Sequence, residues 1–120
     1  MSQPNQLSPR LQQQVVRFQN LKQQYEVVVQ QRMVYERTSK DTEAAMKELE
    51  VAPDNVVAYK NIGGILIRSE KAKLLSYLKE QKENADMQVT VYTKKEEQLK
   101  KVLDEMGSKL QEELKSANLG

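Results

Sequence analysis

The stretch Val56 to Arg68, reading VVAYKNIGGILIR, constrains this chain more than any other, because it alone is neither polar nor patterned as a helix. Its first half is β-branched and aromatic, its second half is a compact aliphatic run, and Gly63-Gly64 sits between them, where a tight turn needs positive φ at low steric cost. The pattern predicts a β-hairpin over 56–68. With the two glycines as the loop, Ile62 faces Ile65, Asn61 faces Leu66 and Tyr59 faces Arg68. Ile62, Ile65 and Ile67 then share one face, while Val57, Tyr59 and Leu66 share the other. A lone two-stranded hairpin is marginal in water, and this one would leave apolar surface wet on at least one side. No other segment is strand-like, so the rest of the sheet must come from other chains. Val57, Tyr59, Ile62, Gly63, Gly64, Ile65, Leu66 and Ile67 are therefore the expected oligomerisation residues.

On either side the chain is patterned for helix. Residues 1–7 are polar and contain Pro4, and read as a disordered lead-in. A first helix is expected over 8–51, with Ser8 as its cap and Pro9 in the first helical position, where a missing N–H costs nothing. Its heptad seam holds Leu11, Phe18, Tyr25, Arg32, Ser39 and Met46 at one position and Gln14, Leu21, Val28, Tyr35, Thr42 and Leu49 at the other. Pro53 ends it by excluding Ala52 from the helical region, and Asp54-Asn55 turn the chain into the hairpin. A second helix is expected over 69–117, with Ser69 as cap and Glu70 in the first turn, followed by a tail over 118–120. Its seam holds Leu75, Lys82, Val89, Glu96, Leu103, Leu110 and Ala117, and then Leu78, Ala85, Tyr92, Leu99, Met106 and Glu113.

A hairpin returns the chain on itself, so the expected fold class is mainly α: a long antiparallel two-helix coiled coil with a single β-hairpin at the bend, forming one domain over 1–120. Setting Leu49 against Leu75 pairs Met46 with Leu78, Phe18 with Met106 and Gln14 with Leu110. Ser39, Thr42 and Lys82 then make the middle of the seam weakly packed, and Gly107 adds a soft point, at about 1 kcal/mol against alanine in a helix interior. In the last layers Leu11 faces Glu113 and Arg10 faces Leu114. Apolar groups set against charged ones cannot close tightly, so Leu7, Leu11, Val15, Leu110, Leu114 and Leu119 are expected to be partly wet at the ends of the helices remote from the hairpin. Val16, Val27 and Val34 form a further off-seam stripe on the first helix.

Composition excludes much else. With 38% hydrophobic and 30% charged residues, five tyrosines and one phenylalanine, the material for a globular core is thin. The absence of histidine and cysteine removes the usual general base, thiol nucleophile and most transition-metal ligands, so neither an enzyme nor a metal or other cofactor is expected. Basic and acidic residues are interleaved, as in Lys94-Lys95-Glu96-Glu97, which argues against a nucleic-acid track. No apolar run approaches the ~20 residues needed to span a bilayer, and a signal peptide is not evident; a cytoplasmic protein with no membrane partner is expected.

Two helices around one hairpin, with Tyr59-Lys60-Asn61-Ile62-Gly63-Gly64-Ile65-Leu66-Ile67-Arg68 at the bend, closely resemble the β-class subunit of prefoldin, in its archaeal form rather than as a eukaryotic paralogue. The α class carries two hairpins, and the segment from Glu50 to Glu70 has room for one. The resemblance implies a hexamer of two α and four β subunits in which the pooled hairpins form a double β-barrel bearing six coiled-coil tentacles, using up edges that a lone hairpin leaves unpaired. It further implies an ATP-independent chaperone that holds unfolded client proteins near the free ends of the helices and passes them to a group II chaperonin. On that reading Leu7, Leu11, Val15, Val16, Leu110, Leu114 and Leu119 are the candidate client-binding residues. The alternative is a coiled-coil tether or assembly scaffold without chaperone activity, in which the hairpin is only a reversing loop.

Overall fold

The computed structural model describes residues 7–119, with the side chains of the last two left aside. The order of elements is a helix α1 (Pro9–Val51), a strand β1 (Ala58–Ile62), a strand β2 (Ile65–Ser69) and a helix α2 (Lys71–Leu119). Two long helices with one antiparallel hairpin between them is the fold class that the sequence predicts. The expected lead-in at residues 1–6 and the last residue of the tail lie outside the described residues.

Each boundary has a local cause. The Ser8 hydroxyl accepts the Leu11 N–H at 3.1 Å and so caps α1, with Pro9 as its first helical residue. At the other end α1 stops at Val51, before Pro53, and Ala52 N–H donates back to the Leu49 carbonyl at 3.2 Å. A turn closed by Val56 N–H on the Pro53 carbonyl, at 3.0 Å, then leads to β1.

The start of α2 departs from expectation. Ser69 does not cap it, because Ser69 is the ladder partner of Ala58 at the end of β2. The helix begins at Lys71, with Leu74 N–H bonded to the Glu70 carbonyl at 2.9 Å, so Glu70 stands just outside and no acidic residue occupies the first turn. α2 also runs two residues past the expected end at 117, through Leu119, and Ala117 is exposed rather than in the seam.

The hairpin register is the one that the Gly-Gly loop dictates: Ile62 opposite Ile65, Asn61 opposite Leu66, Lys60 opposite Ile67, Tyr59 opposite Arg68. Gly63 and Gly64 have φ of 56° and 87°, the conformation of a two-residue turn whose twist matches that of paired strands. The Asn61 side-chain oxygen accepts the Gly64 N–H at 3.1 Å and holds the loop. Val56 and Val57 lie before the ladder, which starts at Ala58.

The chain divides into two compact units, one of residues 32–91 and one of residues up to Gln31 with those from Tyr92 onward. In the first, α1 and α2 run in opposite directions, as the contacts of Lys71 with Glu50 and of Ser39 with Asp86 show. In the second they do so again, with Arg10 against Glu113 and Phe18 against the face of Gly107. Apart from Ala117, the heptad positions are the buried or half-buried ones in both helices. Most are only half-buried, as expected where two helices share a seam and no third layer covers it.

Two seam expectations are corrected. Leu74, rather than Leu75, is the buried leucine at the start of α2, because Lys71, Leu74 and Leu78 form the inward face of its opening turns. The layers around Ser39, Thr42 and Lys82 are not loose: Ala85 is 1% exposed and Thr42 8%, so small side chains let the helices close there. Their polar groups are satisfied as well. Thr42 donates to the Thr38 carbonyl at 2.7 Å, the Ser39 hydroxyl donates to Asp86, and the Lys82 ammonium donates to the other Asp86 oxygen at 2.8 Å. The Lys82 hydrogen bond, then that of Ser39, holds the Asp86 carboxyl below the usual carboxylate range, and donating to Asp86 raises Lys82 in turn. Both groups are open to solvent, so the pair fixes register more than it adds stability.

Candidate assembly and capture surfaces

In the unit of residues 32–91, one lysine ties the two helices together at the base of the hairpin and another holds β1 to α2. α1 has no basic residue in its own last turn, so its C-terminal carbonyls lack a cation to complement the helix dipole. Lys71, from the first turn of α2, supplies one: its ammonium donates to the carbonyls of Glu50 at 3.0 Å and Ala52 at 2.7 Å and lies 3.7 Å from the Asp54 carboxylate. Lys60, on β1, lies 3.8 Å from the centre of the Tyr77 ring on α2. Neither role was anticipated from the sequence. A lysine in a first helical turn sits at the wrong end of its own dipole, however, and that misfit was a readable sign of a partner elsewhere.

So anchored, the hairpin has one face turned in part toward the helices, where Ala58, Lys60 and Ser69 are half-buried, and a second with Tyr59, Asn61, Leu66 and Arg68 all exposed. Val57, Tyr59, Ile62, Ile65, Leu66 and Ile67 are each between 47% and 67% exposed. The structure thus gathers the expected assembly residues into one small hairpin with apolar groups on both faces, Val57 standing just before the ladder and Gly63 and Gly64 forming its loop. Among the described residues the sheet has two strands, so each has an outer edge.

In the other unit, the expected capture residues separate. Val16 is 54% exposed, while Leu7, Val15 and Leu114 are half-buried. Leu11 and Leu110 are buried, contrary to the expectation that the final layers stay open. Arg10 reaches across the helices to Glu113, its guanidinium 3.4 Å from the carboxylate. Glu113 keeps its charge outside while its stem helps to close the layer. The Leu119 side chain lies outside the described residues. Val27 and Val34, like Val16, are more than half exposed, as the off-seam spacing predicts.

Among the described residues no group of acidic side chains could hold a metal ion, and no helix is long and apolar enough to cross a membrane. The family model described as prefoldin subunit matches residues 12–117, both helices and the hairpin. The chain belongs to the prefoldin family. Its relatives give the class: the prefoldin subunit beta of Methanothrix thermoacetophila is 37% identical over 108 residues, 90% of each chain. That of Archaeoglobus fulgidus is 34% identical over 105 residues, 88% of this chain and 90% of its own. The crystal structure of the prefoldin beta subunit from Thermococcus strain KS-1 matches with a TM-score of 0.76 at 26% identity, covering 92% of this chain and 96% of that one. Prefoldins are chaperones whose subunits form hetero-oligomers, so exposed apolar strands in a β-class chain have a use.

Proposed function

We propose that this chain is the β subunit of an ATP-independent holding chaperone, a hexamer with two α and four β subunits, that keeps unfolded proteins from aggregating and passes them to a group II chaperonin. One observation carries the reading: six apolar side chains of a two-stranded hairpin stand about half to two-thirds exposed, on both faces of the ladder. Such a hairpin is neither stable nor soluble by itself, and pairing with other hairpins in a closed barrel removes both edges and both wet faces. A tether needs no such surface.

Capture falls to the helix ends that carry both chain termini. Leu7, Val15, Val16 and Leu114 are in part accessible there, and Leu119 follows in the same helix. Leu11 and Leu110 are covered by a layer closed at its surface by the exposed Arg10–Glu113 pair. An exposed ion pair contributes at most about 1 kcal/mol and each covered leucine about 1.5–3 kcal/mol, so opening this end costs several kcal/mol, which covering both leucines with a guest offsets. The test is to dilute an unfolded protein from denaturant into buffer containing the hexamer and no nucleotide. Suppressed light scattering is expected; scattering as high as without the hexamer, or suppression only with ATP, would overturn the proposal.

A further inference from the structure

Two unequal connections join the hairpin to the helices. Glu70 alone stands between β2 and α2, so the second helix follows the sheet directly. Between α1 and β1 lie residues 52–57, and the backbone bonds of that segment are short-range ones, Ala52 to Leu49 and Val56 to Pro53. The long-range bonds at this junction come from Lys71. Its ammonium donates to the Glu50 carbonyl, 21 residues away in the chain, at 3.0 Å and to the Ala52 carbonyl, 19 residues away, at 2.7 Å. The Lys71 side chain is 16% exposed, whereas Asp54, whose carboxylate stands 3.7 Å from the ammonium, is fully exposed.

We infer that Lys71 is a positioning residue for assembly: by tying the end of α1 to the first turn of α2, it holds the hairpin at the angle to the helices in which strands of other subunits can pair with it. The inference rests on the hairpin being the intermolecular element proposed above. Pairing needs the strand edges and their apolar side chains in a fixed orientation. A chain that spends only a fraction of its time in that orientation binds its partners more weakly by the same fraction. The Lys71 bonds are suited to keep the fraction high. An ammonium makes stronger hydrogen bonds to carbonyls than a neutral donor does, and these carbonyls lie at a helix C-terminus, where partial negative charge collects. The short exposure of the stem limits competition from water. Lys60, over the Tyr77 ring, links β1 to α2, and Lys71 adds α1 to that pair. The exposed Asp54 carboxylate contributes little by comparison.

The test follows the hexamer formed with an α-class partner by native mass measurement over a dilution series. K71M keeps the stem and removes the donors, so helicity of the free chain should stay as it is, while the hexamer comes apart at a concentration about tenfold higher, as a competent fraction of about one tenth requires. K73M removes the same charge from an exposed lysine two residues on and should assemble as the parent does. D54N should shift the midpoint less than about twofold. K71A leaves room for n-propylammonium, which should restore assembly when added to the buffer. Neither n-propanol, with the stem but no charge, nor tetramethylammonium, with the charge but no N–H donor, should do so. A K71M hexamer with the parent's midpoint, or an equal loss in K73M, would overturn the assignment. Helicity lost together with assembly, and no rescue by n-propylammonium, would show that Lys71 serves only the chain's own fold and would overturn it as well. Failure of the parent chain to join its partner would overturn the assembly reading of the hairpin, and the role of Lys71 with it.

Discussion

Replacing Ile65 and Ile67 together by lysine is expected to abolish the hexamer while leaving far-UV helicity nearly unchanged. Both residues lie on one face of β2, 67% and 49% exposed in the isolated chain, so the substitutions disturb little that the chain packs for itself. In a barrel each isoleucine would be buried, worth about 1.5–3 kcal/mol, and a lysine in its place must either bury a charge at a cost of several kcal/mol or push the strands apart. The loss per subunit is then at least about 5 kcal/mol, more than a thousandfold in each association constant. Since four β subunits carry the change, mass measurement after co-expression with an α subunit should find the separate chains. Normal assembly would remove the structural basis for reading the hairpin as an intermolecular element.

Deleting residues 1–14 together with 109–120 is expected to preserve the hexamer and sharply reduce protection of an unfolded protein from aggregation. The deletion removes Leu7, Leu11, Leu110, Leu114 and Leu119 and leaves the hairpin, its Lys60 and Lys71 anchors and most of both helices in place. Each lost end offers a few side chains, at most a few kcal/mol when covered by a guest, so binding at one end is weak and several must act together. Losing about 1–2 kcal/mol at each compounds over the ends that hold a single guest, and an effect of more than tenfold on holding follows. Full protection by the shortened hexamer would remove the helix ends from the mechanism. Because residues 15–108 still include Val16, Val27 and Val34, it would also move attention to that off-seam stripe.

The hairpin was legible in the sequence to the level of individual pairs because its chemistry is local. Two adjacent glycines admit one favourable two-residue turn, and that turn fixes every partner from Ile62–Ile65 to Tyr59–Arg68. The seam was legible because its period of seven is repeated many times, and one misplaced layer cannot hide the rest. What escaped was decided by single residues reaching across. The choice between Leu74 and Leu75 depended on where α2 begins, which followed from the sheet claiming Ser69 and from Lys71 turning inward to the end of α1. In the other unit Leu11 and Leu110 are buried and Arg10 reaches Glu113, pairings that heptad spacing alone does not specify.

The central claim is that the hairpin's two apolar faces are covered by the hairpins of other subunits. Native mass measurement of this chain, alone and co-expressed with an α-class partner, tests it most directly. The account expects a single species with the mass of two α and four β subunits in the co-expressed sample. A monomer or dimer of this chain that ignores its partner, with the hairpin still folded, would contradict it.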